Sequence, residues 1–449
     1  MTAGPTASSS VPRPSGLVLS PFRALRYDPA VAGELSALTS PPYDVIDADG
    51  VVALEHSSEH NVVRLILPRE GVVAGQDRYA GAAATLVAWR EAGVLVPDGA
   101  PALYVYEQAA PDVEGLPGHV QRGLLGALGL TPPADEIVLP HENTMAGPVS
   151  DRLALYTAVD ADLEPIFLVY DGGGAASRAV ASVDRPDVAA AQAPALLVDA
   201  VLADGLRHRL WAVTDPGVLA DVAADLLPRK ALIADGHHRY ATYLQRQTAR
   251  HEAGDGAGAW DAGLCLLVDA TAFGPQVHPI HRYLPGVPVG TLAQQAAAGT
   301  AVRRLEGGLE QALAELAAAG EHGPAFLLAS GDASELHLVT EPDPAQLATA
   351  VPEGRSPAWV ALDVSVLHAF LVTALWQLPD DVEHVAYEHD VAGALAAAAR
   401  TGGTAVLLNP TPVDAVAAVA GTGERMPRKS TLFTPKPSTG LVIRDHRDA

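Results

Sequence analysis

Short apolar runs alternate with Ala-rich amphipathic stretches along the chain. Runs closed by Gly or Pro read as buried strands, and apolar positions recurring at helical spacing read as helices. Strands are expected at Asn61–Leu67, ended by Pro68, and at Ala102–Gln108, Val120–Leu130, Ile137–Leu139 and Glu164–Tyr170. Leu206–Thr214, Lys230–Ala234, Leu264–Asp269, Val277–Tyr283, Val382–Tyr387 and Thr404–Leu408 continue the series, with Ala325–Ala329 and Leu336–Val339 as a strand pair. Helices are expected at Ala74–Ala92, where Tyr79, Leu86 and Trp89 stand near helical spacing and Gly93 is the stop, and at Pro216–Leu227. Another follows Gly236 to about His251; others cover Thr291–Gly299, Leu309–Ala319, Val364–Gln377, Val391–Arg400 and Val413–Ala420. This irregular order predicts an α+β fold, mixed sheets with Ala-rich helices, over a doubly wound sheet. Gly172–Ser182, Glu252–Gly258 and Pro342–Ser356 are candidate linkers. The expected division is a loose tail over 1–16, a main α+β domain over 17–290 and a C-terminal α/β unit over 291–449.

Composition narrows the class. Apolar residues make up 49% and aromatics 5%, so the core is built mainly from Ala, Val and Leu, and wholesale disorder is excluded. The five Trp residues (Trp89, Trp211, Trp260, Trp359, Trp376) read as core. The formal charge is 29 − 53 = −24, which argues against a nucleic-acid partner because a phosphate backbone would be repelled at long range. The single cysteine, Cys265, can form neither an intrachain disulfide nor a thiolate zinc site and reads as a small buried hydrophobe. The N-terminus lacks the basic and apolar regions of a signal peptide, and no apolar run reaches the ~18–20 residues that span a bilayer. A soluble, cytoplasmic protein is expected.

The sharpest chemical signal is Ile233-Ala234-Asp235-Gly236-His237-His238-Arg239-Tyr240, between an apolar strand and a helix. Gly236 permits a sharp turn and close backbone approach. The helix start offers free N–H groups that attract anions. Arg239 can fork a phosphate, and His237 and His238 can donate to its oxygens. Asp235 could hold a divalent cation or orient a histidine. Three potential cations in a chain of charge −24 call for a counter-charge, and a bound polyphosphate supplies one. The plain alternative is a solvated helix start capped by Asp235. Adjacent histidines point roughly 100° apart, so both cannot pack into one core face.

Pro140-His141-Glu142-Asn143-Thr144, followed by Asp151-Arg152-Leu153, could supply a general base, a cation ligand and an amide donor. Its plain alternative is a polar loop leading to a helix capped by Ser150. In Ser40-Pro41-Pro42-Tyr43-Asp44-Val45-Ile46 two prolines stiffen a turn that can hold Tyr43 and Asp44 at a site wall. Arg425, Arg428 and Lys429 within Gly423–Thr431 could reach a phosphate or carboxylate, or be a solvated loop. His278 and His281-Arg282 read as structural.

Pro21-Phe22-Arg23, Ser40–Val45, Pro140–Thr144, Glu164-Pro165-Ile166, Asp235–Tyr240 and the Met426–Val442 tail, in this order, resemble the bacterial and archaeal "domain of unknown function" family numbered 1015, from about Leu17 to Val442. More distantly, the strand–Asp-Gly-His-His-Arg–helix unit is similar to the nucleotide-phosphate turn of the ParB/sulfiredoxin superfamily. One branch of that superfamily consists of free-serine kinases. The resemblance implies a ParB/sulfiredoxin-like nucleotide-binding unit within a larger chain, with Gly236, His237, His238 and Arg239 as phosphate cradle. By chemistry, Asp235, Asn143, Arg425 and Lys429 join the nucleotide contacts. Glu142 is the candidate base, with Asp44 second and His141 beside them. Mg²⁺ is expected on Asp235 and Glu142. The function that follows is phosphoryl transfer from ATP or ADP to the hydroxyl of a small molecule, a serine-like amino acid being one option. A homodimer is compatible with the sequence. Two alternatives stand beside it: a nucleotide-binding regulatory protein without catalysis, and a metal-dependent hydrolase using His237, His238, Glu142 and His141.

Overall fold

The computed structural model describes residues 11, 13–71, 77–112, 118–184 and 194–448, which divide into two compact units. The first takes in the chain up to Leu139, Thr144–Pro275 and the segment from Pro435 onward. The second takes in Pro140–Asn143 and Gln276–Thr434. The division thus falls after Pro275 rather than at 290, and the last segment returns to the first unit. Burial explains the return: Leu441, Val442 and Ile443 are at most 3% exposed, and Arg444 reaches Asp162 at 2.8 Å. Most of the expected tail, residues 1–10 and 12, lies outside the described residues.

The first unit is organised on a nine-stranded mixed sheet. Its main path runs Val138–Leu139, Ala231–Asp235, Ile166–Tyr170, Ala262–Asp269, Val120–Gly129, Leu103–Ala109, Arg207–Val213, Ala195–Val201, and Leu19–Ser20 pairs with Val120–Gly129. Two pairings are parallel, Ala231–Asp235 with Val138–Leu139 and Ala262–Asp269 with Ile166–Tyr170; the rest are antiparallel. Ile166–Tyr170 is buried at every position, which is why it reads as a continuous apolar run instead of an alternating one. Helices Arg78–Glu91, Ala146–Val159, Pro216–Leu226 and His237–Glu252 place Leu86, Tyr156, Leu226 and Tyr243 in one core with Val105, Leu168 and Cys265.

The second unit carries a six-stranded antiparallel sheet in the order Ala301–Arg304, Leu336–Thr340, Phe326–Ser330, Thr404–Leu408, His281–Leu284, Ala386–Glu388. Alternate residues feed two cores. Phe326, Leu328, Val406 and Leu408 pack with helix Val289–Ala296 and the π-helical stretch Leu367–Leu375. Leu327, Ala329, Ala405 and Leu407 pack with helices Leu309–Gly320 and Val391–Thr401. This two-residue period gives a sheet covered on both faces.

Several expected elements differ. Asn61–Leu67 forms a helical turn, Val63–Ile66, not a strand. Asn61 decides it: its Oδ1 accepts from Val63 N at 2.9 Å, and its Nδ2 donates to Ala37 O and Thr39 O. Val277–Tyr283 splits into Gln276–His278 and His281–Leu284, whose partners lie in different sheets, because Pro279 cannot donate to a ladder. The strand expected at Val382–Tyr387 is only Ala386–Glu388. Two expected linkers contain helices, Gly174–Ala181 and Pro344–Ala350. Ala195–Val201 is a strand the apolar pattern did not show. It is a sheet edge with exposed Leu196 and Val201. Of the Trp residues, Trp260 is half-buried and the other four are buried. Among the described residues no helix is long and apolar enough to cross a membrane.

Candidate functional site

The strand Ala231–Asp235 ends in a bulge. Ile233 pairs with Leu168, but Asp235, two residues on, pairs with Phe167. Such a slip re-aims the side chain that follows it. Gly236 then turns at φ +94° and is the N-cap of helix His237–Glu252, a residue with no side chain to cap the helix. The plain alternative, Asp235 as cap, is therefore not what forms. A Cβ at Gly236 would lie 3.2 Å from Arg239 Nε, from Arg239 Nη2 and from Ile166 Cγ2. Gly236→Ala is expected to lower stability by about 1–2 kcal/mol, the cost of a left-handed L-residue. Denaturant unfolding checks this; an unchanged midpoint would show that the turn relaxes freely.

Arg239, expected from sequence to fork a phosphate, faces inward. It is 1% exposed. Its Nη2 meets Asp235 Oδ2 at 2.5 Å and its Nη1 donates to Pro165 O at 2.6 Å. Its Nε has no partner among the described residues and lies on the side that Gly236 leaves open. Burial alone would lower its pKa; Asp235, Glu164 and Asp44 outweigh burial and hold it charged. Part of the counter-charge predicted for this turn is thus built into the protein. His237 is 6% exposed. His238 Nε2 accepts from Met145 N at 3.0 Å, so the neutral ring carries its proton on Nδ1. Met145 also begins the helix Ala146–Val159, which places Ser150 inside the helix and not at its cap.

A cation that sequence reasoning missed completes the cluster. Lys436 Nζ lies 2.6 Å from Asp235 Oδ1 and 3.5 Å from Asp44 Oδ2. Burial lowers the pKa of Lys436, but Asp235 and Asp44 outweigh it and keep the ammonium charged. The same pairing holds Asp44 below the ordinary carboxylate range: burial raises it, and Lys436 and Arg239 prevail. The segment around Lys436 is pinned from several sides. Gln108 Nε2 donates to Lys436 O at 2.9 Å, Gln121 Nε2 donates to Pro435 O at 3.0 Å and Thr439 N donates to Ser40 O at 2.8 Å. The one legible signal was Pro435 and Pro437 on either side of the lysine, a stiff extended frame.

Tyr43 and Asp44 sit in a 3₁₀ turn after the paired prolines. Tyr43 N donates to Glu164 Oε1 at 3.0 Å, and the Arg152 guanidinium lies 4.3 Å over the Tyr43 ring. Glu164 is fully buried, and burial raises its pKa against the pull of Arg239 and Arg152. Burial also pushes the Tyr43 phenol up to about 12.

Within the first unit the fold therefore brings together Asp44, Asp235, Gly236, His237, His238 and Arg239. His141, Glu142, Asn143, Arg425 and Lys429 belong to the second unit. There His141 is buried, its Nε2 3.0 Å from Thr431 Oγ1 and its carbonyl accepting from Met426 N at 2.9 Å. Arg425 donates to Pro140 O at 2.8 Å. Glu142 is half-buried, and Asn143 and Lys429 are exposed.

The residues do not fit the divalent cation expected on Asp235. One Asp235 oxygen already holds Arg239 and the other Lys436. Among the described residues no group of three or more His, Cys, Asp or Glu could hold a metal.

The profile of DUF1015, a family described as protein of unknown function, matches residues 19–365. The chain belongs to that family. No curated protein matches it in sequence. Among solved structures it is similar to SbnI with a C-terminal truncation from Staphylococcus aureus, at 10% identity and TM-score 0.34, over 71% of this chain and 87% of that one. It is also similar to a free serine kinase mutant in complex with ADP, at 12% identity and TM-score 0.35, over 76% and 97% of the two chains. A conserved hypothetical protein from Pyrococcus furiosus is similar at 14% identity and TM-score 0.32, over 76% and 100%. Overlap this loose leaves the chemistry to be argued from the residues themselves.

Proposed function

We propose that the chain binds the phosphates of ATP or ADP at the turn Asp235–Arg239 and passes a phosphoryl group to the hydroxyl of a small molecule. The observation that carries this reading is the junction of three features at one point. They are a helix N-terminus that opens on a glycine, a buried arginine whose Nε has no partner among the described residues, and a lysine held charged between two carboxylates. Each attracts a polyanion, and together they do so in a chain of charge −24.

Each group then has a role. The helix N–H groups bind phosphate oxygens. Lys436 has three N–H donors and two carboxylate neighbours, so one donor is available to the transferred group. Arg239, beneath the turn, keeps Asp235 in place. Phosphoryl transfer needs chiefly positioning and charge compensation, which these groups supply. The new O–P bond forms as the bridging P–O bond of the nucleotide breaks, leaving ADP from ATP or AMP from ADP. The hydroxyl proton goes to a carboxylate. Asp44, ionised and beside Lys436, is the acceptor in the first unit, and Glu142 is the other candidate.

The test is incubation with ATP or ADP and a pool of hydroxyl-bearing amino acids including L-serine, followed by mass spectrometry and phosphorus NMR. A phosphorylated alcohol in equimolar yield with ADP or AMP is expected, lost in Asp44→Asn or Glu142→Gln according to which is the base. Nucleotide binding with no product would leave a binding protein, and no binding of either nucleotide would remove the site altogether.

A further inference from the structure

A second cluster of cations stands in the first unit, apart from the turn. Helix Ala48–Ser57, the segment Leu67–Arg69 and the start of helix Arg78–Glu91 border a cleft of about 460 Å³, within the range of small-molecule sites. Arg69, Arg78 and Arg152 line it, and Arg64 lines the narrow extension that shares Arg69 and Arg78. Four arginines at one concavity are unexpected in a chain with 29 basic and 53 acidic residues.

Their hydrogen bonds show which of them await a partner. Arg152 is engaged: it bonds Asp151 through Nε and Nη2 and donates to Ile66 O at 2.6 Å, so it is the floor. Among the described residues Arg78 bonds through Nη2, to Asp151 Oδ1 and to the Tyr79 hydroxyl, both at 2.6 Å. Among the described residues Arg69 pairs with Glu55, at 2.9 Å. Arg64 donates Nη2 to Glu55 O at 2.7 Å, and its buried Nε has no partner among the described residues. A guanidinium carries five N–H donors. Arg64, Arg69 and Arg78 together thus present several donors with no bonded acceptor among the described residues, with Asp49 the other carboxylate of the lining. Asp151 supplies no further acceptor: although burial raises its pKa, hydrogen bonds from Arg152 and Tyr79 hold it ionised and engaged. The remaining wall carries Val51, Val52 and Leu67 together with the carboxylate of Asp49.

We infer that this cleft is a binding site for a small organic anion, its carboxylate or phosphate oxygens gripped by Arg64, Arg69 and Arg78 and its carbon body lying on Val51, Val52 and Leu67. Charge-assisted bonds to forked guanidinium groups are the strongest the site can offer, and both anion types present the required oxygens. Arg152 links this cleft to Glu164, 3.8 Å away, and so to the packing beneath Tyr43. The cleft's ligand can be tested whether or not the turn binds nucleotide.

Calorimetry on the full chain with citrate and with pyrophosphate separates the two chemistries. At least one is expected to bind. Arg69→Gln and Arg78→Gln, both at side chains at least 40% exposed, are expected to weaken it tenfold or more, with Arg69→Lys recovering part. Arg303→Gln, an exposed arginine on strand Ala301–Arg304 of the second unit, should leave it unchanged. Binding of citrate alone assigns a carboxylate ligand, of pyrophosphate alone a phosphate ligand, and of both a site that reads charge. No binding of either at millimolar concentration overturns the inference. So does loss in Lys436→Ala with Arg69→Gln unaffected, since the anion would then sit on the turn.

Discussion

Lys436→Ala is expected to weaken ADP binding about a hundredfold. Asp235 and Asp44 share this one ammonium, at 2.6 and 3.5 Å. Removing it leaves two carboxylates facing the place where phosphates would lie, with only Arg239 to balance Asp235. Truncating one partner of a buried, hydrogen-bonded charge pair typically costs 2–5 kcal/mol, and every ~1.4 kcal/mol is tenfold in affinity. Lys436→Arg, which keeps the charge but not the compact ammonium, should fall between the two. Calorimetric titration with ADP measures this directly. An affinity within threefold of the parent would separate Lys436 from nucleotide binding and leave the turn without its strongest solvent-accessible cation.

The second large effect is on stability. Asp162→Ala is expected to cost roughly 3–5 kcal/mol, the usual penalty for leaving buried cations unpaired. Asp162 is fully buried and bonds Arg246 at 2.7 Å, Arg444 at 2.8 Å and Leu264 N at 3.1 Å, with His446 at 3.3 Å. Burial would raise its pKa, but Arg246, His446 and Arg444 hold it far below the ordinary range. The sign follows from linkage. A depressed folded-state pKa contributes stability that is fully present above the unfolded value, about 3.9, and is lost as pH falls below it. Parent and variant should therefore differ most near neutral pH and converge in acid. Thermal unfolding from pH 7 to pH 3 checks both points, and a pH-independent gap would show that packing, not charge, carries the loss. Because Arg444 ties the segment from Pro435 onward to this carboxylate, the variant should also loosen the segment that carries Lys436.

The turn was legible because local chemistry wrote it. A strand ending in Asp, a glycine free to adopt φ +94°, and a helix opening on His-His-Arg sit within a few residues of one another. The strands Ile166–Tyr170 and Thr404–Leu408 were legible for a similar reason, since burial at every position leaves a nearly unbroken apolar run. Asn61–Leu67 has the same run and becomes a helical turn, because one asparagine bonds to backbone groups brought in from elsewhere in the chain. Arg239 shows the same limit at the site: its sequence context suits a phosphate fork, and its burial follows from the carbonyl of Pro165 and the carboxylate of Asp235.

Sequence alone determined the α+β class, the alternation of strand and helix in both units, and the position of the turn, because those depend on residues near one another along the chain. Tertiary structure decided the unit boundaries, the return of the segment after Pro435, the inward direction of Arg239 and the presence of Lys436 between Asp44 and Asp235. Those depend on which distant groups can satisfy a buried charge, and no local pattern records the identity of that partner.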